Sequence, residues 1–394
     1  MPENKRQHYV PQLYLKQFSK DKKNITIFST KEKKIVTTNG PIDRQCFENY
    51  MYGEDLSYEE SLSQIEGATK KIFENIVLTN NIPSKKDADY FTLLVFILYQ
   101  SARTLYAAEQ VDEVIDKTVK TIIKEDIKIR KPEGITLNDI EKVKIGIKTP
   151  GLYNLGIVSQ IVPLLMDLEC KLIVNNTSSE FITSDNPVVR YNKYYLKEIQ
   201  SYSGFACKGL LILFPISPLY YLVYFDPMMY EIGSGKIQEQ SFQLDNNDVD
   251  GLNILQLINA KSAVYTLNEN ELYMKELFAV AEGFRNRKVS IKKLKNVDQA
   301  DEDKSVLIWT RYPSIEYNAN LSFIKIREDI PDYYLRQNLV RDHEKLFLHK
   351  EFCKKVEQKE YKFSQWNRFL TDIQIKDIIR EMYTNHLRIT RTMR

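Results

Sequence analysis

Short β-rich runs and long helical stretches succeed one another along this chain, and their order predicts an α+β fold. Asn24-Ile25-Thr26-Ile27-Phe28 and Lys34-Ile35-Val36-Thr37-Thr38 flank a polar link, the pattern of a small hairpin. Asn39-Gly40-Pro41 then ends it. Leu62, Ile65, Thr69, Ile72, Phe73 and Ile76 recur at helical spacing, so this stretch reads as an amphipathic helix with Glu66 on its apolar side. Ser84 reads as the N-cap of a second helix that runs through Phe91 to Arg103. Its middle is apolar nearly all round, which predicts a central core helix. A mixed-charge helix is expected from about Ala108 to Ile129, and a short one within Leu152 to Met166.

The middle of the chain changes period. Lys171 to Val174, Glu180 to Thr183, Leu210 to Phe214 and Tyr220 to Tyr224 are β-type runs, expected to share one antiparallel sheet. Asp248 to Ala260 reads as helix and Ala263 to Thr266 as a return strand. Further strands are expected near Ser305 to Trp309 and Leu321 to Ile326, with charged helices after them. The expected organisation is an N-terminal β-hairpin and helical region packed on a mainly antiparallel central sheet over residues 1–300, helical over about 54–168 and sheet over about 169–300. A mixed strand-helix extension covers 301–394.

Composition narrows the functional classes. A formal net charge of +3 on 394 residues is too dilute to attract nucleic acid or an anionic membrane, so any such contact must be local. Cys46, Cys170, Cys207 and Cys353 are widely spaced, with no CxxC pair and no histidine cluster, which argues against zinc. The opening Met-Pro-Glu-Asn-Lys-Arg has no apolar signal core and no apolar stretch is long enough to span a bilayer. A cytoplasmic protein with reduced thiols and no membrane partner is the expectation. Without a Walker A run, GxGxxG, HExxH or GxSxG, a P-loop nucleotide, a nicotinamide cofactor and zincin proteolysis lose support.

Four places carry candidate chemistry. His8 stands in His8-Tyr9-Val10-Pro11-Gln12, where proline stiffens the backbone, and it reads either as a proton shuttle or as a ring that ties down the N-terminus. Asp185 and Asn186 stand at a strand end before Pro187, as site residues or as groups that bond their own turn. Gln100 and Arg103 share a face at the end of the core helix, where a guanidinium needs a carboxylate such as Glu66 or Asp185, or a ligand phosphate. The run from Arg285 to Lys295 holds six cations and no acid, Arg287, Lys288, Lys292 and Lys293 among them, and suits a phosphate backbone or a solvated face. Lys16 to Lys34, relieved by Asp21 and Glu32, is a second basic stretch, and the tail from Arg388 to Arg394 is a third.

His8-Tyr9-Val10-Pro11-Gln12 with Tyr14-Leu15 and Phe18 resembles the opening signature of the family called domain of unknown function 4238. Gln100 with Arg103, the block Phe181 to Val188, Phe214-Pro215-Ile216-Ser217-Pro218, and Leu252-Asn253 before Ala263-Val264-Tyr265 resemble its later blocks in order, over about Gln7 to Thr266. The resemblance implies a mostly bacterial family without an assigned activity, and a context of antiphage effectors or toxins.

Three expectations follow. In the first the chain is a nuclease-like phosphodiester hydrolase, with His8, Glu66, Gln100, Arg103 and Asp185 catalytic. Asp185 and Glu66 would then hold Mg²⁺ or Mn²⁺, and Gln12, Asn186, Arg287, Lys288, Lys292 and Lys293 would bind substrate. In the second the same groups bind a nucleotide or nucleic acid without turnover and signal to a protein partner or a second copy. In the third they form a structural polar network.

Overall fold

The computed structural model describes residues 6–53, 57–130, 133–196, 202–233, 244–285, 288–294, 307–336, 339–362 and 365–372. Strand β1 (Arg6–His8) leads through the one-turn helix α1 (Gln12–Leu15) to the hairpin β2 (Asn24–Ser29) and β3 (Lys34–Pro41), and β4 (Phe47–Asn49) returns to pair with β1. The helices α2 (Ser57–Thr79), α3 (Ala88–Ala102), α4 (Leu105–Arg130), α5 (Leu137–Lys142) and α6 (Pro150–Ile161) follow. Strands β5 (Glu169–Val174), β6 (Thr183–Ser184), β7 (Val189–Tyr191), β8 (Leu211–Ser217), β9 (Tyr220–Phe225) and β10 (Tyr230–Ile232) precede helix α7 (Asn246–Asn259). Next come β11 (Ala263–Thr266), α8 (Glu271–Glu282), β12 (Ser290–Leu294), β13 (Leu307–Arg311) and β14 (Ile324–Ile326). Helices α9 (Asp332–Arg336), α10 (His343–Glu357) and α11 (Trp366–Asp372) close the described chain.

The fold is α+β with antiparallel pairing throughout the named strands. Its centre is a four-stranded sheet in the order β5-β9-β8-β7. Every residue of β8 is buried, because its two faces serve two cores. Ile212, Phe214 and Ile216 point to a core shared with Phe73 and Ile76 of α2 and Leu93 and Ile97 of α3. Leu211 and Leu213 point the other way, to a core built with Leu252 and Leu255 of α7 and Met274 and Phe278 of α8. The central sheet is thus sandwiched between two helical layers.

Two sequence expectations need correction. Thr183-Ser184 does not join the central sheet; it lies at the edge of a second sheet in the order β3-β2-β11-β6, opposite Val264 and Tyr265. Residue types mark a strand but not its partner, and here the turn through Asp185 carries the chain from one sheet to the other. The core helix begins at Ala88, with Asp87 in the flanking extended position. Ser84 instead closes a turn ahead of it, where its N–H donates to the Asp87 carboxylate at 3.0 Å.

Segments beyond residue 307 are bonded into this body. β14 pairs with β10, Tyr334 Oη donates to Asp226 at 2.8 Å, and Arg341 Nε meets Asp167 at 2.8 Å. Among the described residues no single helix is long and apolar enough to cross a membrane. The pair α3 and α4, bent by 57°, reaches that length and composition only jointly, and much of α3 is buried inside the fold.

Candidate functional site

The opening motif is fastened to the body by its polar atoms as well as its apolar ones. Val10, Tyr14, Leu15 and Phe18 are fully buried. Tyr14 Oη donates to the Pro215 carbonyl at 2.8 Å and lies 2.6 Å from Thr183 Oγ1, so one hydroxyl links α1 to β8 and to the edge strand β6. His8 Nδ1 is 3.0 Å from the Gln45 carbonyl, which can only accept, and the ring therefore carries its proton there. Nε2 then accepts from Gln12 Nε2 at 3.0 Å. Burial lowers the proton affinity of His8, against the pull of the Gln45 carbonyl and of the Glu66 charge, so the neutral ring is the favoured form.

Glu66, Gln100 and Arg103 come together as the sequence suggested. Arg103 Nη1 meets Glu66 Oε1 at 2.6 Å, and Nε meets Gln100 Oε1 at 2.8 Å. Gln100 Nε2 in turn donates to the Tyr9 carbonyl at 3.0 Å, which ties this cluster to the opening motif. The Arg103 side chain is 2% exposed while that of Glu66 is 23% exposed. Arg103 Nη2 is buried and has no hydrogen-bond partner among the described residues. Glu59, two helical turns before Glu66, is the member that sequence reasoning missed. Burial and the neighbouring Glu66 charge raise its proton affinity, against the pull of Arg103. The spacing of seven residues was the available signal.

Asp185 bonds to a different set of groups, although its neighbour Asn186 meets Thr104 beside Arg103. Its carboxylate is 2% exposed and accepts four bonds, from Lys261 N and Ser262 N at 2.7 Å, Ser262 Oγ at 2.7 Å and Ala263 N at 3.0 Å. It thereby holds the start of β11 against the end of β6. Asn186 is equally engaged, accepting from Thr104 Oγ1 at 3.1 Å and donating to the Asn259 carbonyl at 3.0 Å. Asp185 and Glu66, paired in the sequence reading as metal ligands, sit in separate hydrogen-bond sets. Among the described residues no three His, Cys, Asp or Glu side chains gather as a metal-holding group.

The segment from Glu180 to Val188 is held by an amide face of α7. Asn253, Gln256 and Asn259, three residues apart, share one side of that helix. Asn253 accepts from Ile182 N at 3.0 Å and donates to the Glu180 carbonyl at 2.8 Å. Gln256 donates to the Pro187 carbonyl at 2.6 Å, and Asn259 to the carbonyls of Asn186 at 2.6 Å and Val188 at 3.0 Å. Only two residues of this segment pair as strand, and Pro187 has no N–H, so side-chain amides satisfy the buried backbone that a sheet ladder does not reach.

These blocks lie inside the stretch 6–270 that matches the model of the family described as protein of unknown function DUF4238. The chain belongs to that family. No curated protein and no solved structure matches it. In this DUF4238 member the signature residues His8, Gln100, Arg103 and Asp185 all make the internal bonds described above, and none of the four lines the open space beside them.

A cleft of about 620 Å³ opens between α4, α6, β7 and β13. Tyr153 and Ile157 of α6, Trp309 of β13 and Tyr312 after it line it, and all four are exposed. Arg190 and Arg311 also line it, as do the amides Gln110, Asn154, Asn186 and Asn259. No Asp or Glu stands among the described lining residues. Arg190 lies 4.8 Å over the Phe205 ring, and Arg311 makes an exposed pair with Glu316 at 3.3 Å. Sequence reasoning found only Asn186 of this set, because the rings that shape the cleft come from distant segments with no common motif.

The basic run divides. Arg285 is spent inside the fold, donating to the carbonyls of Leu257 and Lys261 and to Thr30 Oγ1. Lys288 is exposed, in a depression beside Arg311. Lys292 and Lys293 stand on β12 at the register positions opposite Trp309 and Ile308. Arg287 and the tail from Arg388 lie outside the described residues.

Proposed function

We propose that this chain is a nucleotide- or nucleic-acid-binding module whose ligand sits in the cleft between α4, α6, β7 and β13. One observation carries the reading: exposed aromatic rings, carboxamides and two guanidinium groups line one space, with no carboxylate among the described lining residues. A base has a flat face to stack on Trp309, Tyr312 or Tyr153. A phosphate is the natural partner of Arg190 and Arg311, since the planar guanidinium matches its oxygens in pairs. Asn186, Asn259 and Gln110 spend amide groups on internal bonds, so Asn154 is the lining amide offered to a base edge. The volume of about 620 Å³ suits a small organic anion, since ligand clefts run from about 300 to 1,000 Å³.

Titration of the purified chain with nucleoside mono- and triphosphates and a short oligonucleotide, read by tryptophan fluorescence, tests this. Trp309 is exposed in the cleft, so binding is expected to change emission and Trp309→Phe to remove most of the change. Arg190→Met is expected to weaken affinity at least about tenfold, the ordinary loss for a charge-assisted contact. Absence of binding by every one of these ligands at millimolar concentration overturns the proposal.

A second reading, a phosphodiester hydrolase, draws on a different observation. The partnerless Arg103 Nη2, Glu66 bonded to the same guanidinium, and Glu59 two turns earlier on the same helix are the kinds of group that phosphoryl or proton transfer uses. In this reading Glu59, whose proton affinity is raised by burial and the Glu66 charge, is the candidate acid, Glu66 acts as base or binds Mg²⁺ or Mn²⁺, Arg103 steadies phosphate charge, and cleavage would serve a bacterial defence or toxin role. Incubation of labelled nucleic acid with Mg²⁺ or Mn²⁺, wild type against Glu59→Gln, decides it. Product from wild type alone supports cleavage; no product from either, with binding retained, leaves the binding module.

A further inference from the structure

We infer that the ligand is a single-stranded polynucleotide that runs out of the cleft, past Arg311, toward Lys288; this rests on the binding reading above and names the class of ligand. A second depression of about 240 Å³ adjoins the cleft and shares Arg311, Pro313 and Ser314 with it. Phe284 and the exposed Lys288 line it but not the cleft, so a ring and a cation are found in both spaces. A mononucleotide fills one such space. Two spaces that share a wall, with a guanidinium at the junction and an ammonium group beyond it, suit successive phosphates of one strand.

The shape also discriminates between nucleic acids. Bases reach the rings of Trp309, Tyr312 and Tyr153 only when unstacked, which a duplex does not offer without opening. Among the described lining residues of the outer depression Glu316 carries the one carboxylate, and it pairs with Arg311 at 3.3 Å while itself exposed. A phosphate at the junction must take that guanidinium from Glu316. The pair therefore acts as a latch that a polyanion opens, and its removal strengthens binding.

Fluorescence anisotropy with labelled oligothymidylates of increasing length, and thymidine monophosphate as competitor, tests the track. The hexamer is expected to bind at least about tenfold tighter than the monophosphate, with Glu316→Gln raising hexamer affinity further. Lys288→Glu is expected to collapse the hexamer-to-monophosphate affinity ratio toward one. It should also flatten the dependence of log K on log salt by about 0.7, the share of one single-strand phosphate contact. Length-independent affinity overturns the track and leaves a mononucleotide site. Tighter binding of the matched duplex, or equal binding of a polyglutamate peptide, overturns the single-strand assignment. Failure of every ligand to bind, the monophosphate included, overturns the underlying binding reading instead.

Discussion

Replacing Asp185 with alanine separates a structural carboxylate from a reactive one. The side chain is 2% exposed and receives three main-chain N–H groups and one hydroxyl within 3.0 Å. A hydrogen bond to a charged acceptor contributes about 1.5–3 kcal/mol, and each donor stranded by its loss costs about 1–3 kcal/mol, with poor additivity. Ser262 is exposed, so water reaches part of the vacated site and lowers the sum. An overall loss of about 3–5 kcal/mol is expected, the usual range when one partner of a buried charged cluster is removed. Asp185→Asn keeps one acceptor oxygen but turns an amide N–H₂ toward other donors, and should lose about half as much. Urea unfolding followed by circular dichroism gives the shift in midpoint. Amide hydrogen exchange at Lys261, Ser262 and Ala263 gives the local readout, which matters because chains of this length can unfold in several steps. Faster exchange there in both variants, with a lowered midpoint, is the expected result. Wild-type midpoints and wild-type exchange in Asp185→Ala would refute the reasoning and return Asp185 to the list of reactive groups.

Three further outcomes follow from the same contacts. Glu66→Ala should destabilise more than Arg103→Met, because it strands a guanidinium that is 2% exposed whereas the reverse leaves a carboxylate that water can reach; equal urea midpoints would contradict this. Gln256→Ala should cost about 2–3 kcal/mol, since it leaves the Pro187 carbonyl without its side-chain donor and the Ser184 hydroxyl without its acceptor, and a melting temperature unchanged from wild type would show that these bonds do not hold the segment. His8, whose proton affinity is lowered on folding, contributes stability that is fully present above its ordinary value of 6.5 and is lost as pH falls through the folded value. The stability advantage of wild type over His8→Asn should therefore shrink as pH falls below 6.5, and an advantage that grows on acidification would reverse the assigned sign.

The local pattern was legible wherever period decides structure. The hairpin, the amphipathic α2 with Glu66 on its inner side, the apolar α3 and the return strand β11 all follow from spacing of apolar residues. The Arg103–Glu66 pair was legible as one alternative, because a guanidinium ending an apolar helix needs a carboxylate or a ligand phosphate, and the sequence offered Glu66 and Asp185 alike. Partners across long separations were not. Asp185 meets residues 76 to 78 positions away, and Asp248 meets Ser322 at a separation of 74. A third buried carboxylate, Asp226, accepts from Gly209 N at 2.8 Å and from Tyr334 Oη. Each reads in the sequence as an ordinary turn or helix-start residue, and each serves in the fold as an acceptor for backbone from elsewhere. The cleft was illegible for the same reason: Tyr153, Arg190 and Trp309 share no motif and meet only through tertiary packing.

The extent of the family match bears on where specificity lies. The DUF4238 model covers residues 6–270, and within it the signature groups His8, Gln12, Gln100, Arg103, Asp185 and Asn186 bond chiefly to one another or to main chain. The cleft straddles the limit of that match. Its floor and one wall come from α4, α6, β7 and the end of α7, inside the match, while Trp309, Arg311 and Tyr312 lie beyond it. A scaffold fixed by satisfied buried polar groups can tolerate little change, since any loss strands a partner. An exposed ring or guanidinium on a wall can change with small effect on stability. Substitutions at Trp309, Arg311 and Tyr312 should therefore alter ligand affinity with melting temperature nearly unchanged, while substitutions at His8, Gln12, Gln100, Arg103 and Asp185, which do not line the cleft, should do the reverse. If a Trp309→Ala variant unfolds as readily as Asp185→Ala, the wall is part of the core and this division of labour fails.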